Sequence, residues 1–474
     1  MSAFLLAPPG GFKSSLAGKG RQVVVAGAGL AGASAAWKLA GRGFKVVLLE
    51  RLSTGGGRAG SSIDPETGEP IDTGQHALMG CYSSTLRWFR EMGTEALVKF
   101  QERLEVSYAA NPPVVFKTSN LPVPFNFLSG INGIPGMNLG FLFKSLALGR
   151  ALFARRSLDA MTVAEWADRL GIPIPVRRWV LDPLALAALN EQPEIGSAYP
   201  LARVMRRLGR RGGKWSAMGW ATTGLGDLYL EPVKARLDSS GGSFRTGAWV
   251  SRIIEKDGRV VGVRLSGGEE ISADSVVLAL PPWDLVKVLE GVPSCESIVA
   301  SAAKLKPSPI LTVHLWLDTA VMSGPFLGLV SGPFDWAFNR TLMINREAAQ
   351  PSLPLAGRGL QPAPPLAGRG LQHVCLLRSG AKEMLGRKPA ELEEMALDCL
   401  RRSISGAGNA KVVHRRIIWE TKGTVSLTPG TDCLRPVVRT PLKGLVLAGG
   451  WTATGFPDTI ESAVISGIKA AKAI

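Results

Sequence analysis

Two short runs of strand character bracket a helical stretch near the start of the chain. Residues 22–26 (QVVVA) are β-branched with no polar alternation, the pattern of a parallel strand covered on both faces. The run Gly27-Ala28-Gly29-Leu30-Ala31-Gly32 follows at once, then apolar positions at helical spacing through Ala36, Leu39 and Ala40, closed by Gly41 and Gly43. Residues 45–49 (KVVLL) form a second strand that ends at Glu50. This pattern predicts a complete βαβ start.

Near residue 250 the pattern shifts to alternation. Residues 249–254 and 260–265 read as strands around Lys256-Asp257-Gly258, a strong hairpin turn. Gly267-Gly268 turns the chain again, and residues 275–280 (SVVLAL) run as a buried strand stopped by Pro281-Pro282. A meander feeding such a strand is how FAD-binding Rossmann domains complete their sheet, where NAD domains use a helical crossover. Residues 120–220 read mostly helical and apolar. Residues 295–440 are mixed and include a strand at 310–318, and the chain closes with a strand at 444–448, Gly449-Gly450 and a helix around 463–473.

The expected fold class is α/β: a discontinuous FAD-binding Rossmann-like domain with an inserted mixed α+β substrate domain. Residues 1–20 are a flexible lead-in, and 21–110, 221–295 and 441–474 build the dinucleotide domain. A mainly helical insertion at 111–220 faces substrate or membrane, and 296–440 complete the substrate domain. Within that last part, Pro354-Leu355-Ala356-Gly357-Arg358-Gly359-Leu360-Gln361 recurs from Pro365 to Gln372. One copy pair cannot make a solenoid, so 351–372 is expected as a flexible insertion without function.

At 474 residues the chain needs more than one lobe. A formal charge of +17 implies attraction to an anionic partner, either a polyanion or an acidic membrane surface. Five scattered Cys, none spaced as CxxC, point to a reducing compartment with neither disulfide framework nor metal site. No run approaches about 20 apolar residues, so no transmembrane span is expected. The first twenty residues lack the pattern of a secretory signal. The expected location is cytoplasmic, at most peripheral to the inner face of the membrane.

The basic excess has a focus at Arg203, Arg206, Arg207, Arg210, Arg211 and Lys214. No recognised nucleic-acid motif accompanies it, which leaves a solvated loop or contact with anionic lipid headgroups. Residues 138–156 (NLGFLFKSLALGRALFARR) read either as a buried helix or as a segment dipping into a membrane interface.

The chemistry is carried by three glycine-rich segments. In the first, Gly27 permits the tight strand-to-helix turn, Gly29 lets the backbone approach a pyrophosphate, and Gly32 lets the helix pack on the sheet. The amides of Ala28, Leu30 and Ala31 lie where that helix presents its positive end to phosphate. Glu50 stands eighteen residues after Gly32 at the end of the second strand, suited to ribose hydroxyls, with Arg51 beside it. In the second, Gly56, Gly57 and Arg58 follow where a dehydrogenase would continue into helix; Arg58 can pair with a phosphate or lie near a flavin. In the third, Gly449-Gly450 leads towards Thr459 and Ile460 at a second helix start. With Val250 in the meander, these residues form the expected FAD site.

This arrangement resembles the flavin amine oxidase and phytoene desaturase superfamily. Three stretches look specifically like the hydroxysqualene dehydroxylases: residues 72–82 (DTGQHALMGCY), 184–191 (LALAALNE), and 307–316 with 336–340 (PSPILTVHLW, WAFNR). The resemblance covers residues 22–474 apart from the repeat. It implies reductive loss of an allylic hydroxyl from hydroxysqualene to give squalene for hopanoid synthesis, a long apolar tunnel, and association with squalene-pathway enzymes. An oxidative carotenoid-type desaturase and a non-catalytic scaffold remain open. The family pattern has an acid after the Ala-Gly of the last motif, whereas this chain has Gly450, so an acceptor for the cofactor is expected to be missing. His76, in the turn after Gly74, is the candidate proton donor to the leaving hydroxyl, or else satisfies that turn. His314 shares a strand face with Thr312 and Trp316 and reads as structural, and His373 and His414 have no constellation around them.

Overall fold

A computed structural model describes residues 18–121, 125–137, 140, 156–344 and 370–474. The predicted start is present as β1 (Gln22–Ala26), α1 (Leu30–Ala40) and β2 (Lys45–Leu49). Next come a hairpin of β3 (Glu105–Tyr108) and β4 (Val114–Lys117), then α2 (Phe125–Asn132), α3 (Asp182–Leu189) and α4 (Ala198–Leu208). β5 (Ser243–Arg245) precedes a meander of β6 (Val250–Lys256), β7 (Arg259–Leu265) and β8 (Glu270–Ser272), followed by β9 (Ser275–Leu278). The remainder supplies β10 (Pro307–Leu317), β11 (Phe326–Gly328), β12 (Trp336–Asn339), β13 (Gln372–Ser379), β14 (Val412–Val425), β15 (Leu445–Leu447) and α5 (Ile460–Ala473).

The first sheet is parallel with strand order β5-β2-β1-β9-β15, so its five strands come from three distant stretches of sequence. Val23, Val24 and Val25 are all fully buried, which is why β1 carries no polar alternation. One face packs on α1 and α5, the other on the meander. The two helices approach closely at Gly467, where a β-carbon would fall 2.1 Å from the Ala31 carbonyl oxygen. The turn between β6 and β7 places Asp257 and Gly258 at φ 51° and 70°, as the hairpin signal predicts.

The second lobe is a seven-stranded sheet of order β14-β10-β13-β12-β11-β3-β4. Its outer hairpin, residues 105–117, crosses the boundary expected at 110/111. The apolar 120–220 region is helical over α2, α3 and α4, but it ends in a strand, Met218–Ala221, paired with Leu78–Met79 and Val98–Phe100. All four of its residues are buried, and its partners lie more than a hundred residues away, where local periodicity carries no information. Pro281-Pro282 ends β9 and starts another helix, Pro282–Val288, with proline in its first turn.

The repeat insertion largely lies outside the described residues, as do 1–17 and most of 138–156. Its C-terminal end is corrected by the structure. Gln372, the last residue of the second copy, opens β13 and is buried, with Oε1 accepting the amides of Val321 and Met322.

Candidate active site

The three glycine segments meet at one wall of a cavity of about 1050 Å³. Gly27 has φ +100° and its missing β-carbon would sit 2.5 Å from the Ala279 oxygen, while at Gly32 it would overlap the Gly27 oxygen. These two glycines serve the turn and the packing. Gly29 differs: a β-carbon there meets only the Gly56 oxygen, at 3.8 Å, and otherwise open cavity. Helix α1 begins after Gly29 with no side-chain cap and no acid in its first turn, so none of its own side chains compensates the positive end at the cavity. Leu30 and Ala31 line the cavity beside it. Glu50 is buried at the end of β2, where Oε2 accepts the Ala28 amide at 2.9 Å. Gly56 donates to the Ala28 carbonyl at 3.0 Å, and Gly56 and Gly57 both take left-handed φ values that side chains disfavour. Arg51 pairs with Asp284 at 3.0 Å, and Val250 lines the wall next to Ala248 and Trp249.

The C-terminal segment is held by a residue that sequence reasoning missed. The buried guanidinium of Arg435 donates to the carbonyls of Gly450, Trp451, Thr452 and Phe456, fixing the loop between β15 and α5. Ser462 Oγ also donates to Gly450 O, and the Gly449 amide donates to Ser466 Oγ. Thr459 caps α5 by accepting the Ser462 amide, and Ile460 starts the helix. Glu461 faces away, where its carboxylate accepts the amides of Ser84 and Thr85 and caps the helix Ser83–Met92. The space beside Gly450 is occupied by the carboxylate of Asp458, whose Oδ1 would lie 2.2 Å from a β-carbon at that position.

Beyond the glycine wall the cavity becomes an apolar sleeve, with Tyr108, Phe116, Trp179, Trp336, Phe338 and Leu377 among its walls. Helices α3 and α4 close it, and buried polar contacts bring the signature stretches together around it. Ser308 Oγ donates to Asn190 O at 2.7 Å, and Arg340 Nη1 donates to Gln75 Oε1 at 2.9 Å and pairs with Asp72 at 3.2 Å. His76 lines the cavity with Nδ1 2.5 Å from the Gly74 carbonyl, which assigns the proton of the neutral ring to Nδ1 and leaves Nε2 to take up a second one. Burial lowers its pKa below the ordinary value, against the pull of Asp72. Burial also pushes the cavity-lining Cys81 thiol up to about 12, which excludes a thiolate. His314, His373 and His414 lie around Trp316 instead, and among the described residues none lines the cavity.

The basic focus divides. Arg207 turns inward, donating to Ser83 Oγ and stacking over Trp215 and Phe456, whereas Arg206, Arg210, Arg211 and Lys214 are exposed.

Residues 30–474 match the family model described as flavin containing amine oxidoreductase. A hydroxysqualene dehydroxylase of Rhodopseudomonas palustris is 28% identical over 95% of this chain and 97% of its own. A 15-cis-phytoene desaturase of an Oncidium hybrid is 27% identical over 96% and 77% respectively. An oxidoreductase from Methanosarcina mazei superposes with a TM-score of 0.70 at 17% identity, covering 95% of this chain and all of its own, which establishes the shared fold.

Proposed function

This chain belongs to the flavin containing amine oxidoreductases and uses FAD, and from that premise we propose that it removes the hydroxyl of hydroxysqualene reductively, giving squalene. The observation that carries the reading is the continuity of the glycine wall with the apolar sleeve: one end suits a dinucleotide and the other a long hydrocarbon.

In this reading the open end of α1, with Gly27, Ala28, Gly29, Leu30, Ala31 and Gly32, takes the pyrophosphate, and Glu50 the adenosine ribose. Arg51, Gly56, Gly57, Arg58 and Val250 hold the middle of the cofactor, and Gly449, Gly450, Thr459 and Ile460 its flavin end. When bound and reduced, FAD supplies hydride to the carbon that loses the hydroxyl. The protein holds the hydrocarbon, excludes water from the developing allylic cation, and, with His76 in its imidazolium form, protonates the leaving oxygen from Nε2. The phytoene desaturase match supports a second reading, in which the same sleeve holds a carotenoid precursor for oxidative desaturation.

The exposed Arg206, Arg210 and Arg211 follow directly on, or lie at the end of, the helix that walls the sleeve. We propose that they rest on an anionic membrane surface, from which an apolar substrate would enter.

The test is anaerobic incubation of flavin-loaded protein with hydroxysqualene and a chemical reductant, with phytoene run in parallel under oxidising conditions. Mass spectrometry of the extract should show squalene only with reduced flavin. Unchanged hydroxysqualene beside desaturated phytoene would transfer the assignment to the second reading. Inertness towards both, with flavin bound and reduced, would leave the non-catalytic scaffold.

A further inference from the structure

We propose that Asp458 is the anionic anchor of the flavin site in this chain, its carboxylate standing in the volume that a side chain at position 450 would otherwise occupy. The inference rests on FAD binding and is independent of the choice of substrate.

A β-carbon built on Gly450 would fall 2.2 Å from Asp458 Oδ1 and 3.3 Å from its carboxyl carbon. Positions 450 and 458 therefore compete for one space, and here the side chain comes from 458. It sits immediately before Thr459, the cap of α5, on the cavity wall, and its side chain is only 3% exposed. A carboxylate at that depth must be paired, and the pairing is specific. Oδ2 accepts Arg58 Nη1 at 2.6 Å and the Val425 amide at 3.1 Å, while among the described residues Oδ1 accepts only the longer Arg58 Nη2 contact at 3.2 Å. Arg58 Nη1 also donates to Gly423 O at 2.8 Å.

Two consequences follow from this geometry. The pair locks Arg58, on the second glycine segment, to both β14 and the C-terminal loop, so that its guanidinium is fixed before any ligand arrives. Oδ1 also retains acceptor capacity at the cavity wall. A carboxylate repels phosphate and attracts hydroxyl donors. Its partner on a flavin dinucleotide is therefore the hydroxyl-bearing chain between ring and pyrophosphate, leaving the phosphates to α1.

The experiment measures FAD dissociation from refolded or deflavinated protein by flavin fluorescence, for wild type, D458A, D458N, G450D and the double variant G450D/D458A. Removing a charged acceptor should weaken binding by about 10- to 100-fold in D458A, with D458N between it and wild type. G450D alone should bind FAD less well than wild type, since two carboxylates then contend for one volume. The double variant should recover most of the loss, because its carboxylate re-enters that volume from the other side. Wild-type affinity in D458A or D458N, or a double variant no better than D458A, would overturn the proposal. If D458A fails to fold, D458N and the double variant decide it. None of these readouts depends on turnover, so their failure leaves the substrate assignment where it stands.

Discussion

At position 76 burial and charge pull one imidazole in opposite directions. Desolvation lowers its pKa below about 6.5, Asp72 and the Gly74 carbonyl raise it, and Arg58 lowers it again. The net direction is down, so the ring is neutral at neutral pH and becomes cationic only as pH falls through the lowered value. If His76 protonates the leaving hydroxyl, turnover with reduced flavin should rise as pH drops below the ordinary histidine range. In H76Q that limb should vanish and turnover fall by about 100-fold or more, with flavin still bound. A pH profile unchanged in H76Q would reduce the residue to a brace of its turn. His76 was singled out because the resemblance implied that the Gly74-Gln75-His76 turn approaches the flavin, and it lines the cavity. Gly27, Gly29 and Gly32 were legible from their spacing between a strand and a helix, although Gly27 and Gly29 meet Ala279 and Gly56 from elsewhere in the chain. Asp458 and Arg435 were not, since each acts on partners brought near only by the tertiary fold: Asp458 on Arg58, four hundred residues earlier, and Arg435 on a loop whose path depends on α5.

Helix α4 shows what element-level reading gains and loses. Its basic residues read from the sequence as one patch, but the helical turn separates them. Ala198, Leu201, Ala202 and Leu208 are buried, Arg203 and Arg207 are half-buried against the cavity wall and the C-terminal loop, and Arg206 is exposed. The outward subset, three arginines at 206, 210 and 211 with Lys214 beyond them, can reach a lipid surface. Replacing those three with Glu should abolish sedimentation with phosphatidylserine vesicles at low salt, each lost cation being worth about 1 kcal/mol near such a surface. Binding to neutral vesicles should be unchanged, and the wild-type interaction should weaken with salt. Equal sedimentation of the variant would remove the membrane proposal. The β-ribbon at 218–221 marks the opposite limit, because Met-Gly-Trp-Ala carries no period and becomes strand only through partners at 78–79 and 98–100.

At the scale of the molecule, the separated origin of the parallel sheet's strands was readable, because β1, β2, β9 and β15 each lie beside a turn or glycine signal. The strand order of the large sheet was not, since β14, β10 and β13 pair through register contacts spanning tens to more than a hundred residues. The cavity depends on both lobes at once. Its walls include Gly29 and Gly449 from one, and Tyr108, Trp336 and Gly423 from the other, with the Arg58–Asp458 pair reaching β14 across the seam. A ligand filling such a cavity binds only the assembled molecule, so it stabilises both lobes together, by about 2.7 kcal/mol at a free concentration a hundred times Kd. Calorimetry of the flavin-free protein with and without saturating FAD should therefore show the whole unfolding endotherm moving to higher temperature. If only part of it moves, with the rest left at the flavin-free temperature, the lobes unfold independently. The cofactor would then be held by the Rossmann-like domain alone, and the sleeve would have to be preorganised by its own core of Val163, Leu181, Ala185 and Leu201.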